Sequence, residues 1–141
     1  MRLWHIDLIP YLPKSQLLAQ WRELNSIFKK QDKHILINYI YDYDDLYLFD
    51  YACMVLKEFR KRNFKVKNTT NFYNYFYSFS YYASIPLKND YEYKFEEHNN
   101  EYLTICFMNL KEKYIRGQKD FSKEIYDKLC EFYAKEMMKS E

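Results

Sequence analysis

An all-α fold is what this 141-residue sequence predicts, and three grounds support it. Four segments place apolar side chains at the three- and four-residue steps of a helix, and most carry recognisable end signals. A hydrophobic content of 48% at this length suffices to close one core. No internal repeat is visible, so residues 1–141 are expected to form one compact helical domain.

The elements follow in order. Met1 to Pro13 reads as an extended or irregular lead-in, because Pro10 and Pro13 bias Ile9 and Leu12 away from helical dihedrals. A first helix starts near Lys14 or Ser15, with Leu17, Trp21, Leu24 and Phe28 on one stripe. Glu23 falls on the flank of that stripe beside Gln16, Gln20 and Ile27, where a side chain reaches a cleft edge without being entombed. His34 to Tyr43 fits either a strand or a short buried helix. A second helix begins with Asp44 or Asp45 as N-cap and runs to about Arg62, turning Leu46, Phe49, Cys53, Leu56 and Phe59 inward. Arg60, Lys61, Arg62, Lys65 and Lys67 cluster at its end, a placement that also suits the helix macrodipole.

From Asn68 to Phe95 the composition turns to Asn, Tyr, Phe and Ser without a clean period, which reads as a long aromatic loop or short irregular elements. A third helix opens at Asn99 or Asn100, buries Leu103, Cys106, Phe107, Leu110 and Tyr114, and stops at Gly117, which takes a left-handed cap without strain. Asp120 is expected to cap a fourth helix with Phe121, Ile125, Leu129, Phe132 and Met137 as its stripe.

Composition excludes several functions. A single glycine cannot build a glycine-rich phosphate cradle, so kinase, P-loop and dinucleotide-binding readings fall. The formal charge of +2 permits an anionic partner without demanding one. Cys53, Cys106 and Cys130 are odd in number and widely spaced; they read as buried structural thiols in a reducing, cytoplasmic compartment. No run is long enough for a membrane span, and Arg2, His5, Asp7 and Pro10 interrupt any signal peptide, so a soluble, uncleaved chain without a membrane partner is expected.

Two tempting features have plain explanations. His5, His34 and His98 come from remote segments without the short ligand spacings of zinc sites, so no metal is expected. The 17 Tyr and 11 Phe invite a base-stacking interpretation. Tyr, Phe, Asn, Lys and Ile share A/T-rich codons, however, and genome composition accounts for the excess; single rings such as Trp4, Trp21 or Tyr82 remain candidates for function.

The opening stretch MRLWHIDLIPYLPKSQLLAQWREL carries the sharper signal. Leu8, Leu12, Leu17, Ala19, Arg22, Glu23 and Leu24, followed by Phe28, Lys33 and His34, fall without gaps on a known pattern. Tyr43, Asp44 and Leu46, then Glu58, Arg62, Phe64, Lys67, Thr69 and Thr70, continue it after a shortened connection. The pattern resembles the pyrimidine-dimer DNA glycosylases of the endonuclease V type, and EEHNNEYLTICFMNLKEKYI looks closer to a bacterial branch of that family than to its phage member.

The resemblance implies a DNA-repair enzyme that cleaves the glycosidic bond of a damaged pyrimidine nucleotide in double-stranded DNA and then nicks the abasic strand. The nucleophile would be the α-amino group of the chain, here that of Met1. An α-amine titrates near 7.7 to 8.0 and a lysine near 10.4, so about a fifth of the former and less than about a thousandth of the latter is free base near neutral pH. No cofactor is then needed. Glu23 would be the acid/base residue and Arg22 a phosphate ligand. Arg2, Lys33, Arg60, Lys61 and Arg62 would add DNA contacts, with Trp4, His5, Gln16, His34 and His98 lining the cleft.

The sequence departs from the phage pattern at several places. Arg2 stands where a small residue is exposed by Met removal, Ser26 replaces a phosphate-binding Arg, Gln16 replaces a His, and an aromatic, basic tail is absent. A non-catalytic nucleic-acid binder on the same helical scaffold is the competing expectation.

Overall fold

The computed structural model describes residues 1–77 and 92–139, and these are helical, with no strand among them. The helices are α1 (Lys14–Lys30), α2 (Asp45–Lys61), α3 (Thr70–Tyr75), α4 (Asn100–Ile115) and α5 (Lys123–Lys139), with 3₁₀ turns at Ile6–Tyr11 and Asn38–Asp42. No helix among the described residues is long and apolar enough to cross a membrane.

Residues 1–5 are non-helical and lie against α1, but the rest of the lead-in is a 3₁₀ turn rather than extended chain. The His5 ring caps it by accepting from Asp7 N, and Ile6, Leu8 and Ile9 are buried. Leu12, before Pro13, does adopt the extended backbone that a following proline favours. The ambiguous segment is neither strand nor α-helix. Ile37 and Ile40, three apart, are buried beneath the second 3₁₀ turn, matching its three-residue period.

α1 begins at Lys14 and buries Leu17, Trp21, Leu24, Ile27 and Phe28. Gln20 is also fully buried, so this position belongs to the inward face and not to the flank with Glu23. The wheel shows why: Gln20 lies three residues after Leu17 and four before Leu24. α2 is capped by the Asp44 carboxylate on Leu46 N and is enclosed on more than one face, with Asp50, Tyr51 and Glu58 buried alongside its apolar residues. Leu46, expected inward, is half-buried.

The helix ends follow local chemistry. α2 closes with Asn63 at φ 60° and Phe64 N donating to Phe59 O. α4 is capped by Asn99 on Tyr102 N and ends with Gly117 at φ 84° and Gln118 N donating to Lys113 O. Both ends are left-handed terminations of the Schellman type.

Asp120 does not cap α5. Ser122 does so, accepting from Ile125 N at 3.2 Å, while the Asp120 carboxylate accepts from Ser15 N at 2.7 Å and so caps α1 from the distant α4–α5 turn. Pro13 has no side-chain acceptor for that first turn, which explains the long-range cap. Asp120→Ala is therefore expected to lower stability by about 1 kcal/mol, read by thermal or urea unfolding.

One core joins these elements. Trp21 and Phe28 of α1, Phe49 and Phe59 of α2, and Phe72 and Phe76 at α3 form an aromatic cluster with ring centroids 5.2 to 6.3 Å apart. The expected aromatic loop thus opens with a short helix that puts Phe72, and Phe76 at its end, into the core, while Tyr73 is exposed. The remainder of that segment, including Tyr82, lies outside the described residues. α4 and α5 pair through stacked Phe107–Tyr133 and Tyr114–Tyr126 rings, 4.0 and 3.9 Å between centroids. Cys53 and Cys106 are buried and Cys130 half-buried, all as free thiols.

Candidate active site at the N-terminus

The N-terminal segment, residues 1–5, belongs to no sheet and is held along its length, like a lone strand, by side chains of the helices. Trp4 N donates to Gln20 Oε1 at 2.8 Å, and Gln20 Nε2 donates to Arg2 O at 3.1 Å. The Tyr51 hydroxyl stands 2.7 Å from Trp4 O, the Tyr102 hydroxyl donates to Leu3 O, and Ile6 N donates to His98 Nδ1 at 3.0 Å. Leu3 and Leu12 have no exposed surface, and Trp4 and His5 are buried. An unpaired buried peptide group costs about as much as a lost hydrogen bond, so these partners are what permits a terminal strand to enter the core.

This anchoring brings the chain start to Glu23. Gln20 Nε2 bridges the two, donating to Arg2 O at 3.1 Å and reaching Glu23 Oε2 at 3.4 Å, and the N-terminal ammonium and the Arg2 backbone act on the carboxylate electrostatically. Glu23 is half-buried. Burial pushes its carboxyl above the ordinary range, against the opposing pull of the ammonium, the Arg2 N–H, Arg22 and Arg2. Arg2 accommodates its bulk by resting 5.7 Å from the Trp4 ring centre and interacting with Tyr102 and Cys106.

The remaining expected residues distribute unevenly. His5 and His98 converge, 5.4 Å between ring centres, behind the strand. His98 Nδ1 accepts from Ile6 N, so the neutral ring carries its proton on Nε2 and donates it to the Tyr39 oxygen at 2.8 Å. Burial holds His98 at about 3 and His5 at about 4, with Lys94 adding to both depressions. His34 is exposed on its own segment, with Nδ1 accepting from Leu36 N. Gln16 lies two turns before Glu23 and accepts from Gln118 Nε2 at 2.7 Å. Among the described residues no group of three or more His, Cys, Asp or Glu side chains forms a metal site.

Arg22 is exposed on the rim of a groove of about 410 Å³ that opens on the flank of α1 turned away from Glu23, which does not line it. Trp21 and Phe59 line it, Lys65 and Lys67 share its rim, and Asn25 contributes a side-chain oxygen that has no hydrogen-bond partner among the described residues. Lys33, Arg60 and Lys61 are exposed, whereas Arg62 is engaged with Glu58 at 2.7 Å and with Pro10 O at 3.1 Å.

A family model for pyrimidine dimer DNA glycosylases matches residues 1–72, half of the chain. The chain belongs to the pyrimidine dimer DNA glycosylase family. It is therefore a member of a DNA-repair family whose substrate is DNA. No individual curated protein and no solved structure matches it. The matched half runs from the N-terminal strand through the start of α3, and the glycosylase-family segment thus contains Glu23, Arg22, Gln20 and Tyr51. His98 and Tyr102 reach the same strand from beyond it.

Gln20, Tyr51, Tyr102 and Asn25 are the site residues that sequence patterns did not assign to the site. A glutamine among leucines on an inward stripe was the available signal for Gln20; the others become neighbours only through the fold.

Proposed function

We propose that this family member is a DNA glycosylase and abasic-site lyase whose nucleophile is the Met1 α-amine and whose acid/base residue is Glu23. The observation that carries the reading is the nearness of chain start and carboxylate, since one amide, Gln20 Nε2, reaches both Arg2 O and Glu23 Oε2 and the N-terminal ammonium acts on Glu23 electrostatically. A half-buried carboxyl with a raised pKa suits proton transfer near neutral pH.

The chemistry balances without a further reactant. The free amine attacks the sugar C1′, the glycosidic C–N bond breaks with its electron pair leaving on the base, and the base takes up a proton. Loss of a proton from nitrogen and opening of the sugar ring give an imine, protonated in its reactive form. Glu23 stabilises cationic character at C1′ in the first stage and removes a C2′ proton in the second, expelling the 3′ phosphate. Water then hydrolyses the imine and frees the amine. The buried strand fixes one reactant against the other, a restriction that lowers the entropic part of the barrier.

Arg22, Lys65 and Lys67 supply a positive rim for the phosphate backbone, and nucleotide extrusion would expose the sugar to the amine. The test is incubation of the protein, with an unblocked terminus verified by intact mass, with an abasic duplex and borohydride. A covalent adduct and strand nicking are expected. Salt-dependent binding without adduct or nicking would overturn the enzymatic reading in favour of a non-catalytic binder.

A further inference from the structure

Gln20 is fully buried at a position where a leucine would pack at no polar cost. Its hydrogen bonds determine the orientation of the amide, since Trp4 N is only a donor and Arg2 O only an acceptor. The carboxamide therefore contacts the strand on both sides of Leu3, as one residue of a parallel neighbouring strand would. The Tyr51 hydroxyl, 2.9 Å from Gln20 Oε1 and 2.7 Å from Trp4 O, braces the amide and the strand together. Gln20 Nε2 also reaches Glu23 Oε2 at 3.4 Å, so one side chain touches both the strand that carries the amine and the carboxylate.

We propose that Gln20, braced by Tyr51, is a positioning residue that sets the register of the N-terminal strand on α1 and with it the separation of the Met1 amine from Glu23. This rests on the lyase reading above. A slip of one residue would move the amine by about 3.3 Å and turn Leu3 out of the core. Reacting atoms must approach to about 3 to 3.5 Å, so such a slip leaves binding groups intact while removing the reactive geometry.

Two variants test it: Gln20→Met, of similar volume without hydrogen bonds to the strand, and Tyr51→Phe. Single-turnover borohydride trapping on abasic duplex is compared with duplex affinity. The trapping rate is expected to fall on the order of 100-fold for Gln20→Met, with affinity changed less than about threefold. The acidic limb of the rate–pH profile should move upward, because Glu23 loses the Nε2 contact and its neighbouring ammonium. Tyr51→Phe should move both in the same direction by less, and carries the test if Gln20→Met does not fold.

A readout independent of activity is the rate at which an aminopeptidase removes Met1 from the folded protein, expected to rise in both variants. Unchanged trapping, pH limb and Met1 removal in a folded variant would overturn the proposal. A wild type that forms no adduct would sink the lyase reading instead. The aminopeptidase rates then judge the clamp alone, and equal rates in wild type and variants overturn it.

Discussion

Glu23→Gln is expected to lower the rate of strand cleavage and of borohydride trapping by roughly 10²- to 10⁴-fold. The amide keeps the shape and can still accept from Gln20 Nε2, but it cannot take a proton from C2′ or balance positive charge at C1′. Affinity for the duplex should stay level or tighten slightly, because a negative charge facing phosphates is removed. The same variant makes a stability prediction with a definite sign. Burial raises the folded-state pKa of Glu23, so folding disfavours its ionised form. That cost is fully present above the folded pKa and absent below the ordinary glutamate range. Glu23→Gln should therefore be more stable than wild type at pH 7 to 8 and show no such gain near pH 3.5. Urea unfolding at both pH values, alongside the kinetics, separates a lost proton carrier from a damaged fold. A variant that cleaves normally would remove Glu23 from the mechanism.

Acid is expected to weaken the fold before most carboxylates titrate. His98, held at about 3, and His5, held at about 4, are both buried and neutral, against an ordinary value of 6.5. A histidine depressed by folding contributes stability that is present above the unfolded pKa and lost as pH falls toward the folded one. Between pH 6 and pH 4 the two together should remove at most about 3 kcal/mol per pH unit, a sizeable part of the total of about 5 to 15 for a domain. Protonation of His98 at Nδ1 would also expel Ile6 N–H and release the N-terminal strand, so fold and site fail together. The check is urea unfolding at pH 7, 6 and 5 together with imidazole resonances: His5 and His98 should stay neutral until the chain unfolds. Titration of either near 6.5 in the folded protein would contradict this.

These expectations show which parts of the molecule are legible from sequence. α1 was predictable because Pro13 stops the preceding chain and Leu17, Trp21, Leu24 and Phe28 repeat at helical spacing. Asp44, Asn99 and Gly117 act at helix ends where short-range chemistry decides, and they do so as expected. The misses are long-range. Asp120 precedes α5 as a cap would, yet a partner 105 residues away takes its carboxylate. Gln20 looks polar and therefore peripheral, until the N-terminal strand arrives to satisfy it. Tyr51 carried no signal in the sequence and His98 was expected only to line the cleft; the packing of α2 and of the segment before α4 against residues 1–6 gives them a common role. The Arg22–Glu23 pair was visible, whereas the burial that alters Glu23's protonation was not.

The most direct test of the central claim is the identity of the trapped nitrogen. After borohydride reduction on an abasic duplex, nuclease and protease digestion followed by mass spectrometry should find the deoxyribose remnant on the α-nitrogen of Met1 as a secondary amine. Finding it on Lys65 or Lys67 of the groove beside Arg22, or on no residue when the terminus is free, would contradict the account.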